Sequence, residues 1–244
     1  MKLALAAIFL IAGFSLAEDR TPSPFEAGDT AFEQGAYGEA IHHYTQQLES
    51  GLVSPNLHYN LANAAFHDSQ ISLSIYHYRT AQELAPRYRD VRHNLKIARD
   101  EVHNGTPPKP STFSRLTGFL TLNEWTLAGL LLLSTWLGWL TAVNLKPAWA
   151  GHARTFRPVL GFLAIALTII TVLTWREHSE KQWAVIHGEA TVRFGPVSAS
   201  PDQFKWFDGA EVAVVRTHRD WFLAQDATGR QGWVHSDSIL THAN

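Results

Sequence analysis

Thirteen histidines and no cysteine raise the question of metal or acid–base chemistry first. His42 and His43 are adjacent, so on a helix they point in different directions. No histidine pair stands in an H-E-x-x-H arrangement or another carboxylate-supported i, i+4 ligand pattern. The lack of cysteine excludes disulfides, thiolate nucleophiles and cysteine-ligated metals. The sequence also carries no nucleophile elbow, no phosphate-binding glycine loop and no paired carboxylates on a common predicted face. These observations point to a protein that is not an enzyme and needs no metal or cofactor.

The residue types that remain suit recognition. Asn60, Asn63 and Asn94 are amides, and an amide both donates and accepts, so a row of them can hold the backbone of an extended peptide. Asp29, Phe32, Tyr59, Phe66, His67 and Ile97 complete the predicted protein-binding set, with Phe25 at its edge. Taken singly, the aromatics suit core packing and the asparagines suit local caps. Taken together on one face, they suit protein binding, and neither Asn60 nor Asn63 need then lie in the core. A second set, Phe194, Phe204, Trp206 and Phe207, falls in predicted loops and would line a shallow groove.

The first set must be positioned by helices. Between residues 25 and 104 the sequence repeats every 34 residues: Gly28-Asp29 returns as Ala62-Asn63, Tyr44 as Tyr78, and Asn60-Leu61 as Asn94-Leu95. Small residues at Gly28, Ala40, Ala62 and Ser74 let paired helices approach, while Tyr44 and Tyr78 fill the space between pairs. Gly35-Ala36-Tyr37 reads as the first turn, and Pro86 closes a helix because it cannot continue one. Helices are predicted near 25–34, 38–50, 56–68, 72–84 and 90–102. This period resembles the tetratricopeptide repeat, which implies a solenoid with a concave binding face. The cationic carboxylate clamp of some members is absent, since Phe25, Asp90 and Asn94 stand in its place.

Two uncharged apolar runs follow, residues 125–143 and 158–175. As helices each would be roughly 27 to 28 Å long, close to a bilayer's hydrocarbon thickness, so two transmembrane helices are predicted. The intervening loop, 144–157, carries Lys146, Arg154 and Arg157 and no acid, which places it in the cytoplasm. Residues 1–17 have the three parts of a signal peptide. Both soluble regions are therefore expected in the periplasm of a bacterial inner membrane. Residues 105–122 form a proline-rich linker and an interfacial segment, with Asn123 expected to cap the first span. A net charge of -2 offers no field for nucleic acid.

Residues 181–242 change to short alternating segments, read as five strands of a small barrel. Ala190-Thr-Val-Arg-Phe-Gly-Pro196, Asp208-Gly-Ala-Glu-Val212, Asp220-Trp-Phe222 and Gly229-Arg-Gln-Gly-Trp-Val234 resemble a bacterial SH3-like (SH3b) domain. That family is associated with peptide or cell-wall binding. Trp221 and Trp233 are expected in or beside the core. The fold class is thus a multidomain membrane protein: α-helical repeats, two transmembrane helices and a small all-β SH3-like barrel.

The whole order resembles the E-type membrane proteins of the Bacteroides-aerotolerance (Bat) group. The resemblance is sharpest at residues 35–41, 60–66, Val91-Arg-His-Asn-Leu95 and Leu122-Asn-Glu-Trp125. It implies a non-catalytic scaffold supporting an envelope or stress-tolerance complex, with von Willebrand factor A type membrane proteins as partners and contact with membrane lipid. The other reading is a protein that binds peptidoglycan through its SH3-like domain.

Overall fold

The computed structural model describes residues 22–102, 111–145, 150–180 and 182–241. The expected leader, linker residues 105–110 and Lys146 lie outside the described residues, as do the side chains of Arg154 and Arg157.

Five helices come first among the described residues: α1 (Pro24–Glu33), α2 (Tyr37–Glu49), α3 (Pro55–His67), α4 (Ile71–Leu84) and α5 (Arg89–Asp100). Their starts follow from local chemistry. Ser23 caps α1 in a reciprocal pair with Glu26: the Glu26 N–H donates to Ser23 Oγ at 3.2 Å, and the Ser23 N–H to Glu26 Oε2 at 2.8 Å. Ser54 caps α3, and prolines 24 and 55 occupy first-turn positions where a missing N–H costs nothing. Each helix packs on the next. Gly28 shows why small residues are needed, because a Cβ there would stand 2.5 Å from the Tyr44 ring. Tyr44 and Tyr78 are both buried, as are Ala40, Ala62 and Ser74.

A short helix α6 (Thr112–Thr117) precedes two long apolar ones, α7 (Leu122–Leu145) and α8 (Ala150–Glu180). Two corrections arise here. Helix α7 is capped by Thr121, not Asn123. The Glu124 N–H donates to Thr121 Oγ1 at 3.2 Å and the Thr121 N–H to Glu124 Oε2 at 2.9 Å, and this reciprocal pair fixes the helix start. The segment predicted as a loop over 144–157 is helical from Ala150, so Pro158 lies inside α8 rather than at its start. Helices α7 and α8 pack along each other; a Cβ on Gly161 would meet the Trp136 ring at 3.1 Å. Their outer surfaces leave Leu127, Leu130, Leu131, Phe162 and Ile165 more than half exposed.

The sequence predicts five strands; the described residues form seven, in one antiparallel sheet of order β3-β2-β6-β5-β4-β1-β7. They are β1 (Gln182–Ile186), β2 (Ala190–Arg193), β3 (Asp202–Trp206), β4 (Glu211–His218), β5 (Trp221–Asp226), β6 (Gln231–His235) and β7 (Ile239–Thr241). The core between the sheet's faces holds Ile186, Val192, Trp206, Val212, Phe222 and Val234. Strand β1 differs from the rest, because Trp183, Ala184, Val185 and Ile186 are all buried. Ala184 and Ile186 face the sheet core, while Trp183 and Val185 join Ile75, Tyr78 and Leu95 of the helical layer. A strand covered on both faces reads as an unbroken apolar run, and W-A-V-I is one.

Candidate functional site

The asparagines sit in a hydrogen-bond motif that appears twice. In the first copy, Tyr44 OH donates to Asp29 Oδ1 at 2.7 Å and Asn60 Nδ2 donates to the same oxygen at 3.0 Å. In the second, Tyr78 OH donates to Asn63 Oδ1 at 2.5 Å and Asn94 Nδ2 donates to it at 3.1 Å. Each residue of the second copy lies 34 positions after its counterpart (29 to 63, 44 to 78, 60 to 94). The motif ties the tyrosine of an even-numbered helix and the asparagine of the next odd-numbered helix to one side chain of the helix before both.

Burial pushes the Tyr44 phenol up, and the Asp29 carboxylate pushes it further. Burial also raises Tyr78, against an opposing effect of Asn94. Both phenols therefore stay protonated as donors.

Asn60 and Asn63 are half-buried and belong to neither helical core cluster, yet their amides take part in internal bonds. Each amide spends one end on an internal bond. Asn60 and Asn94 use Nδ2, the latter also reaching Tyr59 OH at 3.2 Å, and Asn63 uses Oδ1. The other ends, Asn60 Oδ1, Asn63 Nδ2 and Asn94 Oδ1, have no hydrogen-bond partner among the described residues.

The aromatic members divide. Phe32 and His67 meet around Tyr37, whose ring stacks on His67 at 4.9 Å and meets Phe32 edge-on at 5.4 Å. Tyr59 packs against Tyr78 and Tyr88. Phe66 is half-buried against the second helical core, and Ile97 is 38% exposed on α5. Tyr37 and Tyr88 are thus half-buried parts of this face that the sequence does not single out as binding residues, while Tyr78, which the repeat marks, is buried.

The sheet's predicted groove changes more. Phe204 and Trp206 lie on β3 rather than in loops, and Trp206 is only 3% exposed. The physical reason is period two: Phe204 and Trp206 share a face of β3 and Gln203 and Lys205 take the other. Trp206 Nε1 donates to Asp226 Oδ2 at 3.2 Å. Arg230 covers the Phe204 ring at 4.9 Å. Phe194 and Phe207 do lie outside strands and are exposed. Trp221 and Trp233 are half-buried on neighbouring strands β5 and β6.

A joint between helices and sheet is absent from the sequence expectations. Glu211, at the start of β4, is buried, yet it is charged. It meets two arginines of the helical layer: Arg79 Nη1 lies 2.7 Å from Oε2, and Arg99 binds with Nε to Oε1 at 2.6 Å and Nη2 to Oε2 at 2.8 Å. Arg79 also covers the Trp183 ring at 4.2 Å, and Trp183 Nε1 donates to Glu83. On the same joint the Ser72 N–H donates to Asp208 Oδ2 at 3.2 Å, and Ser72 Oγ lies 2.9 Å from His187 Nδ1. Gly209, at φ 78°, closes the contact, where a Cβ would meet Val102 at 2.8 Å. The geometry can hold two regions as one body. No group of three or more metal-ligating side chains occurs among the described residues.

A family model described as a bacterial SH3 domain matches residues 187–239. That span runs from the end of β1 into β7, so the C-terminal sheet carries a bacterial SH3 domain. No curated protein matches the chain.

Proposed function

We propose that this protein is a non-catalytic binding scaffold held at a bacterial inner membrane. In this reading α1–α5 are tetratricopeptide repeats that take a protein partner. Helices α7 and α8 cross the bilayer, and both soluble regions face the periplasm. The resemblance to the aerotolerance group adds von Willebrand factor A type envelope proteins as the partner class. The observation that carries the binding half is the row of amide ends left over by the internal motif. Asn60 Oδ1, Asn63 Nδ2 and Asn94 Oδ1 supply an acceptor, a donor and an acceptor, the complement of an extended peptide's N–H and C=O groups. The membrane half is supported by two helices of sufficient length, Leu122–Leu145 and Pro158–Arg176, with exposed apolar outer faces.

A photo-crosslinking side chain placed at Ile97 in intact membranes tests the reading. It should give a discrete protein adduct that the same group at Glu49, on α2, does not give. Matching patterns from both sites, or none from Ile97, would remove the binding face from α1–α5.

One observation favours a second reading. Trp221 and Trp233 are half-exposed on adjacent strands, a surface on which a sugar or peptide of the cell wall could lie. Cosedimentation of the full chain with purified peptidoglycan, lost on Trp221→Ala with Trp233→Ala, would shift the function to the SH3 domain.

A further inference from the structure

The amide row is bracketed by carboxylates that no cation neutralises among the described residues. At the α1 end, Asp29 Oδ1 takes both internal bonds, from Tyr44 OH and Asn60 Nδ2, and Oδ2 takes none. Burial, Asp29 and then Glu33 all push the Tyr44 phenol up, so the Glu33 carboxylate, one turn on from Asp29, lies toward the same side of α1. Glu33 is exposed and unpaired. At the other end, Asp90, Asn94, Ile97 and Glu101 follow at i, i+4, i+7 and i+11, one stripe along α5 and its C-cap. Asp90 and Glu101 are exposed and unpaired as well. The cations of α5 point elsewhere. Arg92 Nη1 donates to the Pro86 carbonyl at 3.0 Å, Lys96 pairs with Asp100, and Arg99 pairs with Glu211. Arg89, next to Asp90, stands roughly 100° away around the helix.

Aromatic rings meet one of these carboxylates. Tyr88 packs on Tyr59 with ring centroids 5.3 Å apart, and Asn94 Nδ2 ties Tyr59 OH into the amide row at 3.2 Å. Burial pushes the Tyr88 phenol up, and Tyr59 and the Asp90 carboxylate add to this, so Asp90 acts on the ring pair. Ring faces beside an unpaired carboxylate suit a lysine or arginine side chain, which gains a cation–π contact and an ion pair at once. Resting on the binding face proposed for α1–α5, we propose that the segment it takes is an extended basic peptide, with one lysine or arginine against Asp29 and Glu33 and another against Tyr88 and Asp90. Between them the backbone lies on Asn60, Asn63 and Asn94. The choice of occupant rests on charge complementarity. An acidic segment would be repelled from both ends, and an uncharged one would leave the carboxylates without a counter-charge. The amide row between the two acidic ends makes the occupant a peptide rather than a small cation.

The test uses the full chain in detergent and three pools of fluorescent nonapeptides, blocked at both ends. Each pool holds two lysines, two glutamates or two glutamines at random positions among uncharged residues. Anisotropy titrations should rank lysine first, with the glutamate pool weaker by about tenfold or more. Glu33→Gln with Asp90→Asn should weaken the lysine pool by about threefold or more, the size expected of two exposed ion pairs. Both positions are exposed and outside the internal motif, so melting temperatures should match the parent. Glu39→Gln with Glu49→Gln on α2 changes the net charge equally and should leave binding as it was. Equal binding of the three pools overturns the inference and leaves the binding face standing, as does an equal loss in the two double variants. Binding of no pool overturns both.

Discussion

Arg99 and Glu211 lie 112 residues apart in sequence, yet their side chains form a two-point contact in which both bonds are under 3 Å. Planar guanidinium and carboxylate groups match in this way only when both are held in place. The contact ties α5 to β4, so the helical layer and the SH3 domain are one unit with a buried charge at its centre.

Removing one partner of such a group leaves the other charges uncompensated. Glu211→Gln should destabilise the unit by about 3–5 kcal/mol, since it strands two arginines. Arg99→Leu added to Glu211→Gln should restore part of that loss. Denaturant titration of the four chains, followed by tryptophan fluorescence, gives the coupling; additive losses would mean that the pair is solvated.

The repeated tyrosine motif should differ in strength between its two copies. Tyr44 donates to a carboxylate and Tyr78 to an amide. Hydrogen bonds to charged groups contribute about 1.5–3 kcal/mol and neutral ones about 0.5–1.5 kcal/mol. Tyr44→Phe should therefore lower the melting temperature more than Tyr78→Phe. The sequence alone suggests that Asn60→Ala with Asn63→Ala leaves the fold intact. The internal bonds of both amides predict a measurable loss of stability instead.

Glycines with positive φ separate strain from packing. Gly209 (φ 78°) and Gly229 (φ 90°) both favour glycine, but only at Gly209 would a Cβ meet neighbours, Val102 and Ile75. Gly229→Ala should cost about 1–2 kcal/mol of backbone strain. Gly209→Ala should cost about 1–3 kcal/mol more from overpacking at the joint. Equal losses in thermal unfolding would show that the joint is open.

The turn after β5 predicts an acid limit. Partial burial pushes the Asp226 carboxyl up, but bonds from Thr228, Trp206 and Arg230 outweigh it and hold the group at about 2. A carboxylate lowered on folding adds stability above its ordinary range, and that contribution is lost as pH falls from about 4 toward 2. Asp226→Asn should flatten the acid arm of a stability–pH curve between those values. An unchanged acid arm would place the proton-linked group elsewhere.

Much of the helical layer was legible because periodicity writes it directly. Predicted helices at 38–50 and 56–68 lie within a residue of the observed Tyr37–Glu49 and Pro55–His67. The same period named all three asparagines and both tyrosines of the internal motif. Their bonds were not legible, since a concave face and an internal seam use the same residue types at the same spacing. The loop expectation for Trp206 fails although the residue alternates with Gln203 and Lys205, because β3 follows a turn-rich stretch and is only five residues long. The joint left the weakest trace. Glu211 heads a strand, and Arg79 and Arg99 look like solvated helix residues; only the unbroken run Trp183-Ala-Val-Ile signalled that something covers the far face of β1. Contacts across more than a hundred residues carry no period to detect.

If α7 and α8 form the proposed two-pass hairpin, the helical layer and the SH3 domain share one side of the membrane, as the joint between them also demands. The chain has no cysteine, so single introduced cysteines report cleanly. Glu49→Cys, Val215→Cys and Ala148→Cys would each be treated with a membrane-impermeant maleimide in intact spheroplasts. Cysteines at 49 and 215 should both react at once, while the one at 148 should react only after the membrane is opened. Labelling at 148 alone, or different outcomes at 49 and 215, would contradict the account.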